Sequence, residues 1–250
     1  MFERVGKDLV WRFRIGPITL ALNPATLGTA LGISLLLVLL ALWLRRAIPK
    51  DPEAPPPRRL VLLVFLVDFM ENQVLGGTSE KLRRSLLPLI ATLFLFILAC
   101  NLSSILPIPG MVAPTQDLNV TLGLALLVYS LTHVYGMRTK GVFRHLKGYL
   151  EPIPVMLPMN LIGDMGRTIS HGFRLFGNIL GGAIMATVSL PVMVELLLRF
   201  LGPILALPAI PIVGIGLTFV LNGFFGIFAG TIQALVFTLL AAAYIQAATE

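Results

Sequence analysis

The stretch SHGFRLFGNILGGAIM, residues 170–185, decides the fold, because one arginine, Arg174, stands inside a largely apolar run. An arginine at the centre of a membrane helix raises the insertion free energy by a few kcal/mol or more, and its guanidinium is too basic to become neutral. Arg174 must therefore face water or an acidic partner. The alternative, a structural ion pair with Asp164 on the same helix, requires a span of about 15 Å, which is too far. We expect the counter-charge to lie on another protein.

Polar residues line the same helix on either side of this arginine. At 100° per residue they form one stripe, which contains Arg167, Ser170, His171, Arg174 and Asn178. A polar stripe on an apolar helix marks an aqueous or ion path. Gly177 and Gly181 are spaced for close approach of another helix.

The last apolar stretch carries a second ridge of small and polar residues. Its members are Gly216, Asn222, Gly223, Gly226, Gly230, Thr231 and Gln233. Plain helix packing explains the glycines equally well. For Gln233 we expect a hydrogen bond to Arg174 or Asn178, together with a role in the channel.

Composition excludes most other classes of protein. The 250 residues are 56% hydrophobic and only 12% charged, whereas a soluble domain is about 25% charged. The net charge of +7 is explained by cationic loops beside membrane spans, without nucleic acid. Cys100 is the one cysteine, so no intrachain disulfide forms. The sequence shows no metal-ligand spacing, no phosphate loop and no nucleophile with its base, so we expect no cofactor, no metal and no enzyme activity by the chain alone.

The apolar segments predict an all-α polytopic membrane protein in a single membrane domain. We expect about five membrane-embedded helices and one interfacial helix, with spans at 26–44, 86–106, 118–136, 154–190 and 212–248 and the interfacial helix at 60–75. Each of the last two segments would be roughly 50–55 Å long if helical, which exceeds a hydrocarbon core of about 30 Å. They are therefore predicted to form a long tilted hairpin. Pro191 is expected to end its first arm, and Pro203, Pro208 and Pro211 to break the connection.

Lysine and arginine set the predicted orientation. They are concentrated in 45–59, 81–84 and 138–147 and are absent from 107–117. The positive-inside rule places these three cationic segments in the cytoplasm and the connection 107–117 outside. The N-terminus is then outside and the C-terminus cytoplasmic, as a multi-pass protein of a bacterial inner or plasma membrane.

Three ordered blocks resemble the a subunit of F-type ATP synthases. RLFGN, residues 174–178, matches the central signature of that family. PTQDLNVTLGLAL, residues 114–126, and TIQALVF, residues 231–237, match its third-span and last-helix motifs. Asn101 also matches, and Asp164 and Arg167 stand where relatives often carry an acid and a lysine. The resemblance covers residue 60 to the C-terminus.

The resemblance implies a membrane stator subunit beside a rotating c-ring, held by peripheral-stalk b subunits and surrounded by lipid. Two offset half-channels would carry protons or sodium ions to and from the ring carboxylate. Arg174 would drive ion release and block leakage, while Asn178 and Gln233 position it and Ser170 lies near the inner half-channel. Further candidates for the ion path are Asn101, Asp117, Asn119, Asp164 and His171. His133 and His145 are expected to be unimportant: a satisfied polar group on a span and a residue of a solvated loop.

Two positions depart from the family pattern. Relatives usually carry a titratable side chain nine residues after the arginine and another seven residues before the glutamine, but this chain has Ala183 and Gly226. Water alone, His171 or another group could substitute, or the ion could be sodium. The departures also indicate a divergent branch. The alternative function is a stand-alone secondary transporter in which Arg174 binds an anionic substrate, although no paired repeat is seen. A purely structural anchor would not need the polar stripe.

Overall fold

The computed structural model describes residues 11–15, 18–49, 55–105, 112–151 and 153–250. Residues 50–54 of the first cationic segment and 106–111 of the uncharged connection lie outside the described residues, as does the N-terminal head up to residue 10. From Pro24 onward every described regular element is a helix, which confirms the predicted all-α polytopic architecture.

A short antiparallel hairpin precedes the helices and was not predicted. Strand β1, Trp11–Ile15, pairs with β2, Ile18–Leu22, with Trp11 opposite Leu22. The signal was present in the sequence: WRFRI alternates apolar and basic residues, and Gly-Pro follows it, a common turn dipeptide. The pattern covers only a few residues, so the long apolar runs that follow it determined the predicted fold class.

Seven α-helices follow the hairpin in the described part of the chain. They are α1 (Pro24–Arg45), α2 (Val61–Phe69), α3 (Glu80–Ser103), α4 (Leu118–Lys140), α5 (Val142–Gly148), α6 (Leu157–Leu221) and α7 (Gly230–Thr249). A π-helical turn, Met70–Val74, extends α2, and a longer π-helical segment, Asn222–Ala229, joins α6 to α7. Pro114–Gln116 and Pro154–Met156 are single 3-10 turns. Four helical stretches of the described chain are long and apolar enough to cross a membrane, the last of them being Pro154–Thr249.

Local chemistry fixes several helix ends. The Asn23 side chain accepts a hydrogen bond from the Ala25 backbone N–H at 3.0 Å, with Pro24 in the first turn of α1. Asp117 caps α4 in the same way, accepting from the Asn119 N–H at 2.9 Å. Gly141 ends α4 with a φ of 84°, a conformation that glycine adopts without strain.

The long hairpin forms, but its turn is not where the prolines predicted it. The first arm of α6 continues through Pro191 to residue 201, and Gly202 then breaks the helix with φ 68° and ψ 165°. The second arm starts at Pro203 and includes Pro208 and Pro211. The expected stop at Pro191 and break at 203–211 were therefore wrong. Neighbouring helices and local adjustments can satisfy the backbone groups that a proline frees within a membrane helix.

The core of the bundle is built around α7, which packs against α3 and α4. Its buried face carries Phe237 and Ile245 together with small residues such as Ala241. Small side chains let neighbouring helices approach closely. Close packing stabilises helix association in a membrane because lipid is as apolar as the helix core, so burial of apolar surface alone does not favour it. The predicted interfacial helix contributes Met70 and Leu75 to this core.

The two ends of the bundle differ in the segments they bring together. At one end, the start of α3 and the end of α4 meet the C-terminus: Ser85 and Tyr135 share a hydrogen bond of 2.9 Å, and a Cβ on Gly77 would lie 3.2 Å from Gln246. The cationic segments 81–84 and 138–147 therefore lie together. At the other end, Thr29 near the start of α1 donates to the carbonyl of Val112 at 3.0 Å.

Candidate functional site

Arg174 lies on an outward face of α6. Its side chain is exposed, as is that of Ser170 one turn earlier. A Cβ added to Gly177 would meet no atom of the described residues within 4 Å, so this part of the face is open. Among the described residues the acids in ion pairs are Glu71, Glu80 and Asp164, and none of them pairs with Arg174. The bundle thus presents a guanidinium outward from a long apolar helix.

The predicted polar stripe divides into two faces in the structure. His171 points inward and is only 2% exposed, with its Nε2 at 3.1 Å from the Phe237 carbonyl oxygen and its ring 3.8 Å from the Phe237 ring. Leu175 and Ile179 continue this buried face. Three residues are a little less than one turn, so His171 and Arg174 sit on adjacent faces instead of one.

The glycines at which helices pack closely are not the ones that the sequence predicted. Gly181, like Gly177, has open space around it, whereas a Cβ on Gly172 would lie 2.9 Å from Leu122 and one on Gly182 would lie 2.8 Å from Phe225. The spacing of Gly177 and Gly181 does not serve packing inside the described chain. Because neither glycine has a side chain, the surface beside Arg174 is shallow.

Two asparagines predicted for the ion path hold the end of the π-helical segment. Asn178 donates from Nδ2 to the carbonyl of Ala229 at 3.3 Å, and Asn101, on α3, donates from Nδ2 to the carbonyl of Gly230 at 2.8 Å. A change from π to α geometry leaves backbone carbonyls without their regular partners. The two amide side chains therefore fix where α7 begins.

Gln233 lies one turn into α7 and is 8% exposed. Its Nε2 has no hydrogen-bond partner among the described residues, and the same holds for Oδ1 of Asn101. The expected hydrogen bond from Gln233 to Arg174 or Asn178 is therefore not formed. A buried donor without a partner is costly.

Asp117 and Asn119 lie apart from these residues, at the start of α4. Asp117 accepts from both the backbone N–H and the side-chain Nδ2 of Asn119, at 2.9 and 3.0 Å. This arrangement is a helix cap. The structure does not bring the two residues to Arg174.

A polar chamber that the sequence did not reveal surrounds Asp164. His133 Nδ1 and His145 Nε2 lie 3.1 Å apart, and His133 Nε2 lies 3.7 Å from Asp164 Oδ2. Arg167 contacts the other carboxylate oxygen at 2.8 Å, and the Tyr149 hydroxyl donates to Oδ2. His133 is a hydrogen-bonded polar group on α4, as predicted, whereas the prediction of a solvated loop for His145 was wrong, because the turn at residue 141 folds α5 back onto α4.

The chamber has a volume of about 380 Å³, which is room for several water molecules. It is lined by residues of α4, α5, α6 and α7 and extends inward to His171. Burial, the charge of His133 and the charge of Lys140 lower the pKa of His145, against a smaller opposite effect of Asp164. Burial and the hydrogen bond to Asp164 raise the pKa of Tyr149, which keeps its hydroxyl protonated as a donor.

One of the two positions without the usual titratable group, Gly226, is closely packed. A Cβ added to Gly226 would lie 2.4 Å from Cγ1 of Ile105, so the isoleucine occupies the space that a side chain at 226 would need. Beside it, an apolar cavity of about 560 Å³ is lined by residues such as Leu190, Thr218 and Asn222.

Known proteins resemble this chain in sequence over most of its length. The family described as ATP synthase A chain matches residues 29–246. A curated relative, ATP synthase subunit a 2 of Picosynechococcus sp., is 34% identical over 216 residues, which is 85% of this chain and 80% of the relative. Another, ATP synthase subunit a 1 of Crocosphaera subtropica, is 34% identical over 213 residues, covering 84% and 81%. Because the match extends over most of the chain, and confirms the resemblance carried by the three sequence blocks, the protein belongs to the ATP synthase A chain family.

Proposed function

We propose that this chain is the ion-translocating stator subunit of a rotary ATP synthase, with Arg174 as the residue that acts on the rotor. The observation that carries the proposal is the outward guanidinium, which no acid of the described chain neutralises. A charge in that position on an apolar helix requires an acidic group from a neighbouring protein. The carboxylate of a c-ring supplies it.

The mechanism follows from the electrostatics of that pair. A carboxylate in lipid is most stable when protonated or ion-loaded. When a ring carboxylate rotates to face Arg174, the positive charge lowers its pKa and favours release of the ion. The same charge repels a passing cation, so two offset half-channels do not short-circuit. Each charge that crosses contributes about 2.3 kcal/mol per 100 mV of membrane potential.

The surroundings of Arg174 fit this role. The open space at Gly177 and Gly181 allows a ring helix to come close, and Ser170 shares the exposed face toward the inner side. Asn178 and Gln233 lie where α6 meets the start of α7 and are proposed to position the arginine in the assembled complex. Asp164 and His171 belong to an inner half-channel, while Asp117, Asn119 and Asn101 lie toward the outer side.

The assembly and its placement complete the proposal. The exposed first arm of α6 faces the c-ring, and peripheral-stalk b subunits and lipid cover other apolar surfaces. The N-terminus lies outside and the C-terminus in the cytoplasm of a bacterial cell. The chain has no catalytic activity alone and conducts ions only as part of the complex.

Replacement of Arg174 tests the proposal. Arg174→Ala should abolish gradient-driven ATP synthesis in vesicles that contain the reconstituted complex, because the ring carboxylate no longer releases its ion. Arg199→Ala is the matched control: it is also an exposed arginine of α6, and it should retain synthesis. Co-purification with the c-ring shows that both variants assemble. Coupled synthesis at a near-normal rate in an assembled Arg174→Ala complex would contradict the mechanism.

The identity of the ion needs a separate experiment. We expect protons, with sodium as the competing possibility because Ala183 and Gly226 remove the usual titratable pair. A carboxylate-modifying reagent is applied to the ATP-hydrolysing complex at constant pH, with and without added sodium. Equal rates of modification are expected for proton coupling, and protection by sodium would overturn that preference.

A further inference from the structure

Resting on the proposed function, we propose that His133 and His145 form a proton-transfer pair at the cytoplasmic mouth of the inner half-channel, with Asp164 as their positioning residue. The two rings come from α4 and α5, at the end of the bundle where the cationic segments lie. No member of the pair belongs to the three sequence blocks that carry the family resemblance.

The geometry provides a continuous route for a proton. His145 lies on the exposed α5 and is half-buried, and the Nδ1 edge of its ring faces Gly136. Its Nε2 is 3.1 Å from His133 Nδ1, within hydrogen-bond distance. His133 Nε2 faces the chamber and is 3.7 Å from the Asp164 carboxylate. Both rings line the chamber that leads toward His171.

One proton enters and one leaves in each transfer. A proton from the medium binds Nδ1 of His145, and the hydrogen on its Nε2 moves to Nδ1 of His133. The hydrogen on Nε2 of His133 then leaves to water in the chamber. Both rings end in the opposite tautomer and reset by rotation or by exchange with water. Flow in the other direction reverses these steps.

Asp164 is held so that it supports a transient positive charge on His133. Arg167 contacts one carboxylate oxygen and the Tyr149 hydroxyl donates to the other, which fixes the carboxylate in position. A carboxylate beside a histidine selects its tautomer and stabilises the protonated ring. Asp164 itself does not need to take up a proton.

Other groups around the pair set its electrostatic environment. The charged groups that line the chamber are Lys140 of α4, Glu151 after α5, and Asp164 and Arg167 of α6; the titratable rings are Tyr129 of α4, Tyr149, His171 of α6 and Tyr244 of α7. Lys140 and the burial of His145 favour its neutral form, whereas Asp164 opposes them. The pair is therefore poised to hold a proton briefly and pass it on.

The rate of proton supply explains why such a pair is useful. Free protons at pH 7 reach a single site at only about 10²–10³ per second, because the association rate constant is at most about 10⁹–10¹⁰ M⁻¹s⁻¹. Histidine, with an ordinary pKa of about 6.5, can take protons from buffer molecules, which are far more concentrated. The pair would relieve this limit at the mouth of the channel.

The test measures ATP-driven proton uptake by vesicles that contain the complete synthase with its cytoplasmic side outward, at pH 7.5 and low buffer concentration. His145→Ala should slow proton uptake by about tenfold or more, a loss in the range of other proton-transfer groups. Added imidazole should restore uptake by filling the vacated space, and a bulky buffer of similar pKa should not. Thr132→Ala, which changes a non-titratable residue of the chamber wall, is the matched control and should conduct normally.

His145→Gln keeps a side chain of similar size and a donor, and it carries the test if the alanine variant does not assemble. Its proton uptake should be slow at pH 7.5 and recover as the medium is acidified, while the unsubstituted complex changes little. Normal uptake in either variant, or a loss that neither imidazole nor acid reverses, would overturn the proposal. Arg174→Ala in the same vesicles tests the proposed function separately, because a complex that pumps only sodium would remove the histidine pair's role but still require the arginine.

Discussion

At the scale of single residues, Gly226 shows how an apolar contact can replace a titratable group. In this chain the side chain of Ile105 projects into the space where a Cβ at 226 would be, at 2.4 Å. Real Cβ atoms do not tolerate such a distance, so a larger side chain at 226 requires Ile105 to move.

Enlargement of this glycine should be tolerated only when the isoleucine is reduced. Gly226→Ala should destabilise the complex by about 1–3 kcal/mol, as overpacking of a tight contact does. Gly226→Ala combined with Ile105→Ala should recover much of that loss, because the smaller side chain vacates the contact. Thermal unfolding of the purified complex measures both effects. A single variant as stable as the unsubstituted complex would contradict the packing, and so would a double variant that shows only the sum of the two single losses.

The sequence identified Arg174 and missed the histidine pair for a clear physical reason. A charged group in an apolar run is conspicuous by its cost alone. His133 and His145 are each unremarkable in their own segments, and they meet only because Gly141 adopts a positive φ and turns α5 back. The two histidines are twelve residues apart in the sequence, with a turn between them, and such a separation does not by itself indicate a contact.

At the scale of elements, the length of the last two apolar segments predicted a long hairpin correctly, while proline chemistry misplaced its turn. The rule that proline ends a helix reflects a lost hydrogen bond and a steric clash. Within a membrane bundle these costs are compensated locally, and Pro191 and Pro208 remain helical. Gly202 makes the turn because its φ of 68° and ψ of 165° are accessible to glycine alone.

Gly202→Ala should therefore destabilise the hairpin by about 1–3 kcal/mol, which is the cost of forcing a non-glycine residue into that region. Gly163→Ala is a matched control on the same helix, since Gly163 has helical backbone angles and open space around it. That substitution should be neutral or slightly stabilising, because alanine favours helix more than glycine does. Denaturant resistance of the purified complex measures the difference. Equal stability of the two variants would show that residue 202 does not carry the turn.

At the scale of the whole molecule, the helix contacts and the distribution of charged residues group the same segments at one end of the bundle. Three cationic segments and the C-terminus are predicted to share the cytoplasmic side, and the structure brings 81–84, 138–147 and Gln246 to one end. The contact from Thr29 to Val112 joins the start of α1 to the uncharged connection at the opposite end. Composition alone predicted this arrangement, because lysine and arginine resist transfer across the membrane. It did not predict the hairpin of β1 and β2, which carries no span.

Labelling from each side of the membrane tests which end is cytoplasmic. Phe143 is 93% exposed on α5 beside the cationic segment, and Ile204 is 86% exposed beside the turn at Gly202. Each is changed to cysteine in a Cys100→Ser background, which is tolerable because serine is nearly isosteric with the buried cysteine. A membrane-impermeant maleimide should label Phe143→Cys only in vesicles with the cytoplasmic side outward, and Ile204→Cys only in vesicles of the opposite orientation. Because the first arm of α6 lies between the two positions in the sequence, labelling of both from one side would refute a membrane-crossing arm, and exchange of the two results would reverse the orientation on which the inner half-channel depends.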